Sequence, residues 1–256
     1  MGSDQDSHQA SHGRQAARAN NHRNPHRPVI LTTLLAENTD EILAATCDQL
    51  GATFDASLPW SDRLHHARNG NFDGVWVCGL LGMRLLQSGE LAGSIGAAPV
   101  FEGRKTPSYH SVIVARQTSG YASLADVAGA VLAVNDYESW SGYGALVDHL
   151  ETHRRSIDLF KGEEETGSHL QSIGAVQQRR ADVAAIDHSV WDWATERKLT
   201  NGLVIIDRSS SWPAPPLITI NSEVADRVIA TDLTGVSGIE RWVRAAPEAY
   251  EVFLDS

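Results

Sequence analysis

Short apolar runs alternate along the chain with amphipathic segments, and this alternation predicts strands and helices in succession. Runs such as VILTTLL at 29–35, VLAVN at 131–135 and LVIID at 203–207 are typical of strands buried on both faces of a sheet. Segments with apolar positions three and four residues apart separate such runs, as at 39–50. The pattern predicts an α/β protein with mostly parallel sheets flanked by helices.

Weaker segments complete the predicted order of elements. ATFDASL at 52–58 is predicted to be a strand, and a last helix is predicted near 237–246. The charge run at 163–165 is interpreted as a solvated loop. A single sheet of about ten strands would be large for a chain of 256 residues, so two smaller lobes are favoured.

Composition argues against several classes of function. The formal net charge of −11 disfavours a nucleic-acid-binding surface. No apolar run approaches the ~20 residues of a membrane helix, so no membrane insertion is expected. Cys47 and Cys78 are too few for a disulfide framework or a metal site, and we predict no metal and no cofactor.

The first 27 residues are polar and rich in Gln, Asn, His and Arg, so a disordered tail is expected. They contain no apolar segment of the kind found in secretory signals. The expected location is therefore the cytoplasm for the sequence as written, or the periplasm or extracellular space if a native export signal was removed.

Two hydroxyls and a glycine stand between the strand VLAVN and the helix after it. Ser139 or Ser141 can cap that helix, and Gly142 lets the backbone approach a ligand closely. The unpaired N–H groups of a helix start, together with these hydroxyls, are suited to binding an oxyanion. A serine cap without a ligand explains the same residues.

A second junction of the same kind favours the anion-binding interpretation. TGSHLQSIGAV at 166–176 places Ser168 and His169 at the start of another apolar-periodic segment. Ser168 is a suitable cap, and His169 can donate to an anion from the first turn. Two such helix starts in one lobe can face the same crevice, at the carboxyl ends of the strands, where open α/β sheets bind ligands.

Asp187 ends the predicted buried strand ADVAAID and is expected at the same edge of the sheet. There its carboxylate can accept a hydrogen bond from an amine or from a protonated oxyacid. It can also cap the helix that begins at His188. The residues alone leave these roles open.

Four segments in this order resemble the phosphate, phosphite and phosphonate solute-binding proteins of ABC transporters. The segments are YHSVIVAR at 109–116, SLADVAGAVLAVNDYESWSGYGAL at 123–146, TGSHLQSIGAVQQRRADVAAIDHSVW at 166–191 and SSSWPAPPLITI at 209–220. The resemblance covers 109–220 well. It is thinner over 29–101, where VCGLLG looks like a weakened form of a Cys-Gly-Tyr-Pro stretch.

The resemblance implies a two-lobed fold like that of type 2 periplasmic binding proteins, with two hinge strands. The first lobe would comprise 28–103 and 206–256, and the second lobe 104–205. In the family the ligand anion lies on helix starts of the second lobe. The positions that match the family's ligand-binding positions, or that are expected to face the cleft from the first lobe, are Ser139, Ser141, Gly142, Ser168, His169, Tyr109, Asp187, Cys78 and Gly79.

Two departures from the family pattern leave the ligand open. Trp140 is a bulky residue inside a loop that is often small and polar, and it is included among the candidate ligand-binding residues. It either closes over an apolar tail of the ligand or packs away from it. The loop after Cys78 lacks the Tyr-Pro pair.

The predicted function is that of a binding protein whose lobes close around a small oxyanion-bearing solute, a phosphonate, phosphite or phosphate ester. No catalytic residue is predicted, and an ABC transporter permease is the expected partner. Binding would weaken at high pH if His169 must be charged to hold the ligand, or if the ligand loses a proton that Asp187 accepts.

Two alternatives remain. On the same fold an enzyme acting on a small carboxylate or phosphonate metabolite would use His169 or Asp187 as acid or base. A cytoplasmic sensor would instead signal closure of its lobes to a partner protein.

Overall fold

The computed structural model describes residues 27–36 and 38–254, which form two mixed sheets with helices packed on them. The predicted disordered tail lies outside the described residues, except for Arg27. No helix of the described part of the chain is long and apolar enough to cross a membrane. Cys47 and Cys78 are both free thiols.

The first sheet has five strands. Its apolar core extends into the segments that connect the two sheets, where it includes Tyr109 and Ala214. In spatial order the strands are β1 (Leu31–Thr33), β2 (Gly74–Trp76), β11 (Leu217–Thr219), β3 (Ser94–Phe101) and β12 (Ile239–Arg244). Its helices are α1 (Asn38–Leu50), α2 (Trp60–Arg68), α3 (Gly79–Ser88) and α7 (Ser222–Ile229), followed by a 3-10 turn at Pro247–Phe253.

The second sheet also has five strands, with a buried apolar cluster on each face. In spatial order they are β7 (Gly162–Glu165), β6 (Val131–Val134), β8 (Val183–Asp187), β5 (Ser111–Arg116) and β9 (Leu203–Arg208). The helices are α4 (Ala145–Thr152), α5 (His169–Gln177) and α6 (His188–Glu196), with 3-10 turns at Leu124–Val127 and Ile157–Leu159 and a wide π-type turn at Trp140–Gly144.

Two short strands carry the chain between the sheets. β4 (Ser108–Tyr109) leads from β3 to β5, and β10 (Trp212–Pro213) leads back from β9 to β11. The two pair antiparallel, with Trp212 opposite Tyr109. The two-lobed α/β class with a pair of connecting strands is therefore confirmed. β9 pairs with β5 as far as Arg208, so the second sheet extends past the predicted lobe boundary at 205.

The prediction of mostly parallel sheets needs one qualification. β6 pairs parallel with β7 and β8, and β1 pairs parallel with β2. The strands next to the crossovers pair antiparallel, as β5 does with β8 and β9. A strand that enters or leaves a crossover runs back along its neighbour, and this gives both sheets their mixed pairing.

Three local predictions were wrong. The segment 52–58 forms no strand, because Thr53 alone bridges to Ile30, and the Arg63 side chain holds the rest through the carbonyls of Ala56 and Leu58. The acidic run at 163–165 is an exposed edge strand rather than a loop.

The predicted last helix near 237–246 is also wrong, since this segment contains the strand β12. A register irregularity between Ile239 and Arg241 interrupts the pairing with β3. The buried positions Ile239 and Trp242 consequently stand three residues apart, as they would in a helix.

An aromatic cluster of Trp140, Trp212 and Phe253 joins the lobes beside the crossover. The ring of Trp140 lies 4.6 Å from that of Trp212 and 5.1 Å from that of Phe253, in edge-to-face geometry. Two glycines make room for it. A Cβ on Gly79 would lie 2.4 Å from the Phe253 ring, and a Cβ on Gly144 would lie 2.6 Å from the Trp140 ring.

Phe253→Ala tests whether this cluster holds the fold together. Phe253 is 1% exposed, and truncating such a buried aromatic ring is expected to lower the free energy of unfolding by roughly 3–5 kcal/mol. Val252→Ala is the matched control, because its side chain is 40% exposed and the change should stay within about 0.5 kcal/mol. Urea unfolding measures both. Equal effects of the two substitutions would contradict this role of the cluster.

Candidate functional site

A cavity of about 570 Å³ lies between the two sheets and takes its walls from both. It collects residues far apart in the sequence, from the loop after β1 to Pro215 in the return crossover. Seven of the candidate residues line it: Cys78, Tyr109, Ser139, Ser141, Ser168, His169 and Asp187.

Five helix starts meet at this cavity. The residue at each start also lines the cavity: Asn38 begins α1, and the N-cap residues are Cys78 for α3, Ser139 for the π-type turn before α4, Ser168 for α5 and Asp187 for α6. Helix N-termini present N–H groups without intrahelical partners and a partial positive charge. The cavity is therefore suited to an anion, without requiring a charged side chain.

The first predicted junction is organised around Ser139. Its Oγ accepts hydrogen bonds from the Gly142 N–H and from Asn135 Nδ2, both at 3.1 Å. A serine hydroxyl has one proton to donate besides these accepted bonds, so Ser139 can still donate to a ligand. Gly142 itself does not line the cavity, and a Cβ there would lie 1.5 Å from Asn135 Oδ1. Gly142 thus allows Asn135 to pack against the turn.

The second junction joins the first through a buried contact. Ser168 caps α5 by accepting from the Gln171 N–H at 3.2 Å. His169 Nε2 lies 3.0 Å from Ser141 Oγ, and the Ser141 carbonyl accepts from Ser111 Oγ at 2.7 Å. The two predicted helix starts therefore form one connected group of side chains.

Burial keeps His169 neutral. The side chain is 6% exposed, and desolvation lowers its pKa below the usual value, while the nearby Asp187 carboxylate and the Ala185 carbonyl oppose this shift. Of the two states of His169 considered from the sequence, the lowered pKa favours the neutral one. A neutral imidazole can donate or accept at Nε2, depending on the tautomer.

Asp187 combines two of the roles left open by the sequence. Its Oδ1 caps α6 by accepting from the N–H and the Oγ of Ser189, both at 2.8 Å. No described residue hydrogen-bonds to Oδ2, and Asp187 lines the cavity. Burial raises the pKa of Asp187, and the positions of His169 and Ser189 offset part of that increase. The second oxygen can therefore exchange a proton with a ligand.

Trp140 and Gly79 do not line the cavity. The Trp140 side chain is 4% exposed and packs into the aromatic cluster with Trp212 and Phe253. Gly79 faces the ring of Phe253. The prediction that Trp140 lines the ligand site is corrected, because its bulk connects the lobes instead. Tyr109 is 1% exposed at the cavity wall, where burial raises the pKa of its hydroxyl.

From the first lobe the sequence interpretation identified Cys78 as a cavity residue but missed Arg63. Arg63 lines the cavity, but its guanidinium is committed to both oxygens of Asp40, at 2.7 and 3.0 Å, and to carbonyls of Thr33, Ala56 and Leu58. Asn-Thr-Asp after a strand is visible in the sequence as a helix start. The position of Arg63 depends on tertiary contacts and has no local signal.

One part of the cavity wall is apolar. Trp60 is 44% exposed, and its Nε1 donates to the Leu34 carbonyl at 2.9 Å, which fixes the orientation of the indole. Other apolar side chains of this wall are Leu35, Leu58, Pro59, Leu81 and Val190. Within 27–36 and 38–254, no group of three or more His, Cys, Asp or Glu side chains is arranged to hold a metal ion.

Comparison with protein families places most of the chain in one of them. Residues 32–233 match the model of the phosphonate-binding domain, described as the periplasmic substrate-binding protein of phosphonate ABC transporters. No curated protein sequence matches the chain.

Solved structures show the same fold at low sequence identity. PhnD1 from Prochlorococcus marinus (MIT 9301) in complex with methylphosphonate is 15% identical, with a TM-score of 0.68 over 89% of this chain and 96% of that one. A binding protein component of an ABC phosphonate transporter from Pseudomonas aeruginosa is 19% identical, with a TM-score of 0.66 over 88% and 83%. A Xanthomonas citri protein bound to ATP is 18% identical, with a TM-score of 0.57 over 89% and 94%.

The neutral state of His169 predicts acid sensitivity. The folded pKa lies below the unfolded value of about 6.5, so the unfolded chain binds more protons and the free energy of unfolding decreases as the pH falls below that value. In His169→Gln the decrease between pH 7 and pH 5 should be smaller, because one proton uptake is removed. Urea unfolding at pH 7 and at pH 5 measures this decrease in the free energy of unfolding.

His65→Gln is the control for this measurement, since His65 is exposed on α2. It should leave the pH dependence as in the unsubstituted protein. If His169→Gln keeps the full decrease, His169 is not a neutral buried group.

Proposed function

This chain belongs to the periplasmic substrate-binding proteins of phosphonate ABC transporters, and we propose that its main cavity binds a singly protonated phosphonate bearing a small organic group. The proposal rests on a cavity that is suited to an anion, although no described cationic side chain in its wall is free to bind one. Among the described residues that line the cavity, Arg63 is the one Lys or Arg, and its donors are taken by Asp40 and backbone carbonyls. The oxyanion would be held by hydroxyls and helix N-termini.

Charge in the cavity favours a ligand of low negative charge. Asp136, Glu138 and Asp187 line the wall. Glu138 pairs with Arg84 at 3.2 Å. The buried Asp187 has no cationic partner among the described residues, because His188, whose Nδ1 lies 3.6 Å away, is neutral. A dianion would be repelled by these carboxylates, so a monoanion or a zwitterion fits better.

A shared proton would make Asp187 a specificity residue. When its carboxyl is ionised, Oδ2 can accept from the P–OH of a monoanionic phosphonate. When it is protonated, the same oxygen can donate to a phosphonate oxygen. Both arrangements hold one proton between ligand and protein, and burial strengthens such a hydrogen bond.

The apolar wall supports an organic substituent over inorganic phosphate. Trp60, Leu81 and Val190 offer carbon surface, which contributes binding energy only if the ligand carries carbon. A fourth oxygen in that region would lose its hydration without gaining partners.

The family relation supports delivery of the captured ligand to an ABC transporter permease. The same family relation supports a periplasmic location, which we include in the proposal. Closure around the ligand would involve the crossover strands β4 and β10, since these carry the chain between the two sheets.

One observation favours the enzymatic alternative. The contact of His169 Nε2 with Ser141 Oγ at 3.0 Å is that of a base beside a nucleophile. The same contact also orients a hydroxyl that donates to an oxyanion, which is the role in our proposal. Recovery of an unaltered ligand after prolonged incubation with the protein would support binding alone. Its conversion would favour the enzyme.

Isothermal titration calorimetry tests the proposed ligand and its proton. Methylphosphonate and ethylphosphonate should bind more tightly than inorganic phosphate. Above the second pKa of the phosphonate, the affinity should fall about tenfold per pH unit, because one linked proton is lost.

Asp187→Asn should flatten this pH dependence. An amide oxygen can still cap α6 through Ser189, while the amide nitrogen donates to a dianion without needing a proton. Asp48→Asn, an exposed change on α1, is the control and should keep the slope. Failure of every phosphonate to bind, or an unchanged slope in Asp187→Asn, would contradict the proposal.

A further inference from the structure

A second cavity of about 270 Å³ adjoins the main one and also lies between the lobes. Asn38, Phe101 and Ser189 line both cavities, and Asn38 Nδ2 donates to Ser189 Oγ at 3.1 Å across the cleft. This hydrogen bond separates the two spaces. Since α1 supplies Asn38 and α6 supplies Ser189, the second cavity has its present walls only while the lobes are together.

Buried polar atoms without partners line this second cavity. Both ring nitrogens of His188, the Oδ1 of Asn38 and the Nε1 of Trp193 have no hydrogen-bond partner in the described part of the chain. His188 is 5% exposed and Asn38 is 3% exposed. An unsatisfied buried polar group costs about 1–3 kcal/mol. Asn38 Oδ1 is an acceptor, and a neutral His188 ring has one acceptor nitrogen, so these two side chains indicate a missing hydrogen-bond donor. The Trp193 N–H is itself a donor and does not contribute to this argument.

The His188 ring is held in place to present its nitrogens. It stacks on His110 at 4.8 Å between centroids and meets the Phe101 ring edge-on at 5.3 Å. Burial, followed by the charge of Arg104, lowers the pKa of His188 to about 3, so the imidazole is neutral and keeps one acceptor nitrogen. The distance of 3.6 Å from Nδ1 to Asp187 is too long for a hydrogen bond.

The lining charge of the second cavity is negative. Glu102, Asp192 and Glu196 line it, and within 27–36 and 38–254 no Lys or Arg does. Glu102 accepts from the Gly238 N–H at 3.0 Å, whereas Asp192 has no hydrogen bond or ion pair with a described residue. The charge of Arg104 also acts on Asp192, but its side chain lies outside the lining.

Arg197 does not fill the role of a counterion for this cavity. Its guanidinium stacks over the Trp193 ring at 4.3 Å and pairs with Glu41 of the first lobe at 2.7 Å. It approaches Glu196 only to 3.8 Å. An occupant with positive charge and hydrogen-bond donors is therefore favoured over another anion.

We propose that the second cavity is a binding site for a primary ammonium group, held by Asp192, the acceptor nitrogen of His188 and Asn38 Oδ1. A primary ammonium has three donors for these three acceptors. The described residues provide no metal-binding cluster, which argues against a metal ion as the occupant. Because both lobes supply acceptors, an ammonium group bound there stabilises the closed arrangement.

Two sources can supply the same ammonium chemistry, and they require separate measurements. A free alkylamine would act as a co-ligand, independent of whatever fills the main cavity. The amine of an aminoalkylphosphonate would instead reach past the Asn38–Ser189 pair, and in that form the inference rests on the proposed function.

The first measurement uses propylammonium chloride with the full chain, followed through the ring signals of His188 by NMR and through thermal unfolding. The His188 signals should shift and the melting temperature should rise, with no such effect from sodium chloride at equal concentration. In Asp192→Asn the dissociation constant should rise roughly tenfold, as expected for the loss of one charge-assisted hydrogen bond. Glu248→Gln, an exposed change in the C-terminal turn, should leave it unchanged.

The second measurement compares aminoethyl- and aminopropylphosphonate with ethyl- and propylphosphonate. If the ligand's own amine occupies the site, Asp192→Asn weakens the amino compounds roughly tenfold and leaves the alkyl compounds unchanged. Propylammonium binding without this difference identifies a separate co-ligand site. Absence of both effects overturns the inference and leaves the proposed function standing. Propylammonium binding without any phosphonate binding overturns the proposed function alone.

Discussion

The arrangement of this protein depends on one electrostatic constraint. Five helix starts face a cavity in which Arg63, the single arginine of its described lining, is already bonded to Asp40 and backbone carbonyls. An anion there can be held only by N–H groups and hydroxyls, which act at short range and must be positioned accurately. The sheets supply that positioning, because helix starts at the ends of buried strands cannot shift without disturbing the core. The tight contact of Gly142 with Asn135 is one local result.

A cavity shared by two lobes also needs a packed contact that connects the lobes close to the cavity. Trp140 leaves the same turn that carries Ser139 and Ser141, but its ring packs away from the cavity against Trp212 and Phe253. The turn that faces the cavity is thus attached to the returning crossover and to the C-terminal turn. A change in the relative position of the lobes would therefore be felt at Ser139 and Ser141 directly, through a rigid aromatic contact.

The sequence was informative where function follows from local patterns. A hydroxyl before an apolar-periodic segment marks a helix start, and two such starts identified Ser139 and Ser168 correctly as cavity residues. It was uninformative where long-range packing decides. The direction of Trp140, the commitment of Arg63 and the neutrality of His169 depend on neighbours distant in the chain. The strand β12 resembled a helix because an irregular pairing changed the spacing of its buried positions.

The position of the Asn38–Ser189 hydrogen bond links the two cavities to closure. Asp187 Oδ1 accepts from the same Ser189 hydroxyl that accepts from Asn38, so one chain of hydrogen bonds runs from the main cavity to α1 in the opposite lobe. Hydrogen bonds in such a chain reinforce each other when the environment is buried. A proton or donor placed on Asp187 by the proposed ligand would change the strength of that chain. On the proposed function, ligand chemistry in the second lobe would thereby be coupled to the Asn38–Ser189 contact between the lobes.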